Sequence, residues 1–162
     1  MIYIWTVLGV VSAIFLLTVV IGAPYVPTRH KDLEKAFSEL YQIGPNDVLV
    51  DIGSGDGVVC RVAARHGAKA IGYEINPFLV FLARWLSRKL PRIRYRLVNF
   101  WRTDLPSDTT IVYTFGESRD IRRMAAYVET QATKLGRPLL FMSYGFDLKD
   151  RQPLRKTGAH FL

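Results

Sequence analysis

Seven residues, Asp51-Ile52-Gly53-Ser54-Gly55-Asp56-Gly57, constrain this chain more than any other stretch, because they directly follow the apolar run Val48-Leu49-Val50. Glycines at alternate positions let a backbone bend tightly and approach a ligand with no side chain in the way. Such a loop between a buried strand and a helix opens a βαβ unit, and ligands of open α/β sheets bind at the carboxyl ends of the strands, near the point where strand order reverses. The pattern beyond the loop keeps alternating. Strands are expected at Val48 to Ile52, Lys69 to Tyr73, Arg94 to Val98, Ile111 to Phe115 and Leu139 to Tyr144. Helices are expected at Val58 to His66, Pro77 to Leu90 and about Arg119 to Leu135, with Gly67 and Gly136 where helices should stop. Strands separated by helices of this length predict a doubly wound, mostly parallel α/β sheet, Rossmann-like and covered on both faces.

With 162 residues, one such domain is the default. It is assigned to residues 48–162, preceded by a connector and N-terminal helix at 24–47. Leu33, Ala36, Phe37, Leu40 and Tyr41 fall at helical spacing, predicting an amphipathic helix from about Arg29 to Gln42. The single cysteine, Cys60, excludes an intramolecular disulfide and leaves no cysteine-rich zinc pattern, so no metal is expected.

Residues 1–23 read differently. From Ile2 to Ile21 there is no charged side chain, and about 20 apolar residues span the ~30 Å of bilayer hydrocarbon as a helix. Tyr3 and Trp5 lie near one end, while Arg29, His30, Lys31 and Lys35 follow the other. That order places the domain on the cytoplasmic side, or the equivalent inner side of an organelle membrane. A cleaved signal peptide fits less well, because no basic stretch precedes the run and Pro24 follows Ala23. The expectation is a single-pass transmembrane anchor that holds the domain to membrane lipid, with Pro24-Tyr25-Val26-Pro27-Thr28 as a stiff connector.

The second strand ends in Tyr73-Glu74, 17 residues beyond Gly57. A carboxylate at that place can accept hydrogen bonds from the two ribose hydroxyls of a nucleoside. A dinucleotide fingerprint would space its last glycine by two residues, so that a pyrophosphate sits on a helix N-terminus. Here the loop runs Gly53-Ser54-Gly55-Asp56-Gly57 with Asp51 beside it. Carboxylates in that position repel a pyrophosphate and suit the ammonium and sulfonium charges of S-adenosylmethionine. The expected cofactor-binding set is Asp51, Gly53, Ser54, Gly55, Asp56, Gly57 and Glu74, with Asn99 after the third strand. Asn99 either offers its amide to an adenine amino group or is an ordinary turn residue. Phe100 and Trp101 either cover the adenine face or belong to the core.

The glycine loop, Gly72-Tyr73-Glu74-Ile75-Asn76-Pro77, the Pro24-to-Thr28 connector and Phe115-Gly116 together resemble one family. It is the class I methyltransferase group that includes the mitochondrial lysine methyltransferases acting on the ATP synthase c subunit and the adenine nucleotide translocase. The resemblance runs from the anchor to about Tyr144. It implies methylation of a protein lysine, with a membrane protein as substrate. Asn99-Phe100-Trp101 stands where that family's pattern has an acidic residue before a similar aromatic stretch. A full methyltransferase sheet also has two further strands after the fifth, whereas the 18 residues after Tyr144 leave room for one short strand, so the sheet is expected to be C-terminally short.

Tyr25 and Thr28, with Phe115, Gly116 and Glu117, are candidates to shape the acceptor pocket. Each also has a plain structural role open to it: Phe115 as core, Glu117 as a helix-start residue, Thr28 as an N-cap. No catalytic residue or general base stands out, and His30, His66 and His160 are expected to be solvated at helix ends or in the tail. The fourth strand is not followed by the Asn/Asp-Pro-Pro-aromatic tetrapeptide that holds a planar exocyclic amine, which argues against DNA adenine methylation. The net charge of +8, with Arg84, Arg88, Lys89, Arg92, Arg94, Arg96 and Arg102 clustered, is compatible with RNA, with anionic headgroups, or with a solvated face. Two further readings stay open: a methyltransferase for a lipophilic small molecule such as a quinone or lipid, and a cofactor-binding module without turnover.

Overall fold

The computed structural model describes residues 3–10, 12, 30–115, 120–148 and 152–162. Of the expected anchor, residues 3–10 and 12 are helical and solvent-exposed. The remainder of that span and the connector, with Tyr25 and Thr28, lie outside the described residues, as do Gly116 and Glu117. No helix among the described residues is long and apolar enough to cross a membrane.

From His30 onward the chain alternates as its hydrophobic periodicity dictates. Helix α1 (His30–Lys35) runs directly into a π-helical turn, Ala36–Leu40. Leu33, Ala36, Phe37 and Leu40 are all buried there, so one face of the expected helix is apolar as read, but its second half is wound more loosely. Then follow β1 (Val48–Ile52), α2 (Val58–Arg65), β2 (Lys69–Glu74), α3 (Pro77–Leu86), β3 (Ile93–Leu97), a 3-10 turn at Phe100–Arg102, β4 (Ile111–Phe115), α4 (Ile121–Leu135) and β5 (Leu140–Tyr144). Helix α3 ends four residues earlier than its periodicity implied. Ser87 is turned inward and buried, its hydroxyl 2.9 Å from that of Tyr95, so Ser87 to Leu90 serve the turn into β3.

The seven-stranded sheet has the order β3-β2-β1-β4-β5-β7-β6. Strands β1 to β5 are parallel, and the order reverses between β1 and β4. The residues after β5 form two short strands rather than one, β6 (Lys156–Thr157) and β7 (His160–Phe161), with β7 antiparallel to both β5 and β6. Two residues per strand suffice because Gly158, at φ +56°, closes a two-residue turn.

The two faces of the sheet are covered unequally. Leu33 of α1, Phe37 of the π-helical turn, Val62 of α2, and Val80 and Ala83 of α3 pack on Leu49, Ala70, Tyr95 and Tyr113. The other face buries Val50, Ile71, Tyr73 and Val112 against Val128 of α4, with Leu105. Among the described residues 98–110 only the 3-10 turn is helical, so α4 covers that face without a neighbour between β3 and β4. At the foot of the sheet, Asp47 accepts hydrogen bonds from the Tyr41 hydroxyl at 2.7 Å, the Gly44 amide at 2.8 Å and the Thr110 hydroxyl at 3.0 Å. That carboxylate locks the turn between the N-terminal helix and β1, and burial beside it pushes the Tyr41 hydroxyl up to about 12.

His160 is not solvated. It is 1% exposed, its Nε2 lies 3.0 Å from the Tyr113 hydroxyl, and its ring centroid is 4.6 Å from that of Tyr144. The alternation of β7 turns His160 inward, a signal too short to read in a two-residue strand. Desolvation holds its imidazole down at about 4, opposed by the charge of Asp32. A folded-state value below the ordinary 6.5 means that the unfolded chain binds the proton more readily. The stability His160 contributes is therefore present above about 6.5 and is lost as pH falls towards about 4. Thermal unfolding followed across that window should show a steeper decline for the wild type than for His160→Gln; parallel curves would contradict it.

Candidate functional site at the glycine loop

The site is built where β1 and β2 end. Gly53, Gly55 and Gly57 have φ of +75°, +53° and +82°, a backbone region that side chains oppose. Gly57 is needed for space as well: a Cβ there would run into the Tyr95 ring and hydroxyl. At Gly53 an added Cβ would meet nothing within 4 Å, so that flank of the loop is open to a ligand. The amides of Gly53 and Ser54 both donate to the Tyr73 carbonyl, at 2.9 and 3.0 Å, and Gly57 donates to Ser54 at 2.8 Å. These bonds pin the loop across the end of β2.

Glu74 completes the clamp. Its Oε2 accepts from the Gly55 amide at 2.9 Å, and its Oε1 from the amides of Ile75 and Asn76, both at 2.8 Å. An ionised carboxylate offers about four lone-pair positions; three are used inward, which leaves acceptor capacity at the rim. Asn76 caps α3, its Oδ1 accepting from Phe78 at 2.9 Å, with Pro77 at the first helical position. The helix that follows Glu74 is thus started by the residue that also holds Glu74.

The loop's acids have different surroundings. Asp51 is 2% exposed, with Cys60 Sγ 3.9 Å from its Oδ2. Burial raises its pKa well above the ordinary carboxylate range, and the charges of Glu74 and Asp56 push the same way. Asp56 is turned to α2: it accepts from the Val58 amide at 3.1 Å and pairs with Arg61 at 3.1 Å. Its charge is partly neutralised by Arg61, a partner one helical turn into α2 that the loop motif alone did not reveal. The Ser54 hydroxyl is buried without a hydrogen-bond partner. It packs over Gly72, where an added Cβ would meet Ser54 Oγ and Tyr95 Cδ1, each at 2.5 Å. An open loop flank, spare acceptor capacity on Glu74, an orphaned hydroxyl and a cluster of carboxylates together fit a cationic nucleoside.

Asn99 is exposed, and its Oδ1, the atom an amino group would need, accepts from the Trp101 amide at 3.1 Å. It caps the 3-10 turn. Phe100 packs against the core below α4, 4.3 Å from Trp101 and 5.8 Å from Tyr127 between ring centroids, and Arg123 lies 4.1 Å over Trp101. The pair is thereby held by α4. Phe115 ends β4 with its ring 5.2 Å from that of Tyr144 at the end of β5. Tyr144 was not among the candidates, because only strand register brings it beside Phe115. A cavity of about 730 Å³ lies elsewhere, between α3 and β3.

The raised pKa of Asp51 has a definite sign. Its stabilising contribution is present below the ordinary 3.8 and is lost as pH rises towards the folded-state value. Asp51→Asn should therefore raise the melting temperature of the ligand-free protein at pH 8 and remove the further rise that S-adenosylhomocysteine gives the wild type. A lower melting temperature with the ligand response intact would contradict this.

No family model matches the chain. It is 34% identical over 93 residues to the ATP synthase c-subunit lysine N-methyltransferase of Mus musculus, a match covering 55% of this chain and 36% of that one. It is 36% identical over 86 residues to the adenine nucleotide translocase lysine N-methyltransferase of Mus musculus, covering 51% and 37%. The chain thus spans little more than a third of the length of these curated relatives. Among solved structures, the RNA methyltransferase from Salinibacter ruber in complex with S-adenosyl-L-homocysteine superposes with a TM-score of 0.71 at 28% identity, covering 82% of this chain and 86% of that one. In strand order, loop and likeness, this chain has the class I S-adenosylmethionine methyltransferase fold and resembles the lysine N-methyltransferases of the ATP synthase c subunit.

Proposed function

We propose that the chain is an S-adenosylmethionine-dependent methyltransferase that N-methylates a lysine of a membrane-associated protein. The observation that carries the cofactor is the rim carboxylate of Glu74, clamped by the Gly55, Ile75 and Asn76 amides with an acceptor position to spare. The relatives named as lysine N-methyltransferases support the acceptor, and the uncharged run from Ile2 to Ile21 supports the membrane.

S-adenosylmethionine, when bound, supplies a methyl group on a sulfonium. Glu74 would accept the ribose hydroxyls, and Asp51, buried below the loop, would offset the ligand's positive charge from a site of low dielectric. The glycine loop lets the backbone come close. Phe115 and Tyr144 stand at the ends of β4 and β5, across the order reversal from Glu74, where an acceptor would enter. Methyl transfer needs the lysine amine neutral, and partial burial beside a cation lowers its pKa towards that state. Positioning and exclusion of water are then the main demands.

Membranes lacking the protein, incubated with it and tritiated S-adenosylmethionine, should incorporate label into a protein band resistant to base. Label in the organic extract or in RNA would overturn the acceptor, and no label at all would overturn the enzyme. Glu74→Gln should raise the KM for S-adenosylmethionine about 100-fold, the effect of losing roughly 3 kcal/mol of charge-assisted hydrogen bonds; an unchanged KM would remove Glu74 from the site.

A further inference from the structure

We propose that the outer face of α3, with the adjoining edge strand β3, is a docking surface for an anionic bilayer leaflet. The proposal is independent of the reaction assigned above. Helix α3 buries Val80 and Ala83 but leaves Phe78, Phe81, Leu82 and Trp85 exposed, Phe81 by 72% and Trp85 by 55%. Their spacing of three, one and three residues puts them on one side of the helix. Apolar side chains in a contiguous exposed group mark a contact surface, whereas scattered ones do not.

Charge identifies the occupant. Residues 75–103 contain seven basic side chains and no acidic one, in a chain whose net charge is +8. The hydrogen bonds of Arg84, Arg88, Arg92 and Arg96 go to the Tyr95, Trp85 and Gly67 carbonyls and the Tyr73 hydroxyl. Among the described residues no carboxylate pairs with any of the seven. Arg84, Arg88, Arg94 and Arg96 line the 730 Å³ cavity beside the helix, and Arg88 stacks 5.0 Å over the exposed Trp85 ring. Aromatic and leucine side chains flanked by unneutralised arginines are the composition of a helix lying in the headgroup layer, rings inserted and cations on lipid phosphates. RNA would use the arginines but leaves Leu82 and Phe81 without a partner. Phe78 lies in the first turn of α3, four residues after Glu74 ends β2, so docking this face holds the cofactor rim beside the bilayer.

The full chain has three tryptophans. In a Trp5→Phe/Trp101→Phe background, Trp85 reports on α3 alone. Reconstituted into phosphatidylcholine vesicles with and without phosphatidylglycerol, its fluorescence should be quenched by lipids brominated high in the acyl chain only when the anionic lipid is present, and less at high salt. Arg88→Gln/Arg94→Gln should lower the docked-to-undocked ratio about 25-fold, about fivefold for each cation near an anionic surface. Trp85 equally open to aqueous acrylamide in both vesicles would overturn the proposal, as would shielding in both regardless of salt, which would mean protein covers the face. Shielding by a 20-nucleotide RNA but not by anionic vesicles would transfer the surface to nucleic acid and overturn it as well.

Discussion

The carboxylate of Glu74 ties two separate pieces of chain together: the glycine loop through Gly55, and the start of α3 through Ile75 and Asn76. A buried acceptor that draws three amides fixes both the bend after β1 and the direction in which α3 leaves β2. The rest of the rim follows from that geometry. Gly57 must be a glycine because Tyr95 fills the space beside it, and Gly72 because Ser54 and Tyr95 fill the space above it. Asp51, placed under the loop, then carries a charge that the ligand-free fold disfavours. A cation arriving at the rim relieves it, so the same arrangement that costs stability without a ligand favours binding one.

Much of this is legible in the residues. The alternation of apolar runs and helical periodicity placed β1 and β4 as found and the other parallel strands to within a residue, because buried strands bounded by glycine, proline and polar turns leave a strong pattern. Glu74 could be read from its distance to the loop. What could not be read depends on contacts between distant parts of the chain. Tyr144 meets Phe115 only through register, and Arg61 neutralises Asp56 only once α2 is wound. The strands β6 and β7 are two residues each, too short for any period to show, and with them went the burial of His160. For Asn99 the sequence offers either an adenine contact or a turn residue, and in the fold its Oδ1 accepts from the Trp101 amide.

The distribution of charge separates two surfaces. Acids gather at the loop, with Asp51, Asp56 and Glu74 on adjacent elements, while 75–103 is wholly basic among its charged residues. A chain that is cationic overall thus keeps a local anionic site for a cationic ligand, and presents cations and exposed rings on the neighbouring helix. The shared element is α3, which begins at the residue holding Glu74 and carries the exposed aromatic face.

Calorimetric titration of the pure chain with S-adenosylhomocysteine, set beside a nicotinamide dinucleotide, should give saturable heat at one site per chain with the sulfur nucleoside and none with the dinucleotide. Heat with the dinucleotide alone would contradict this.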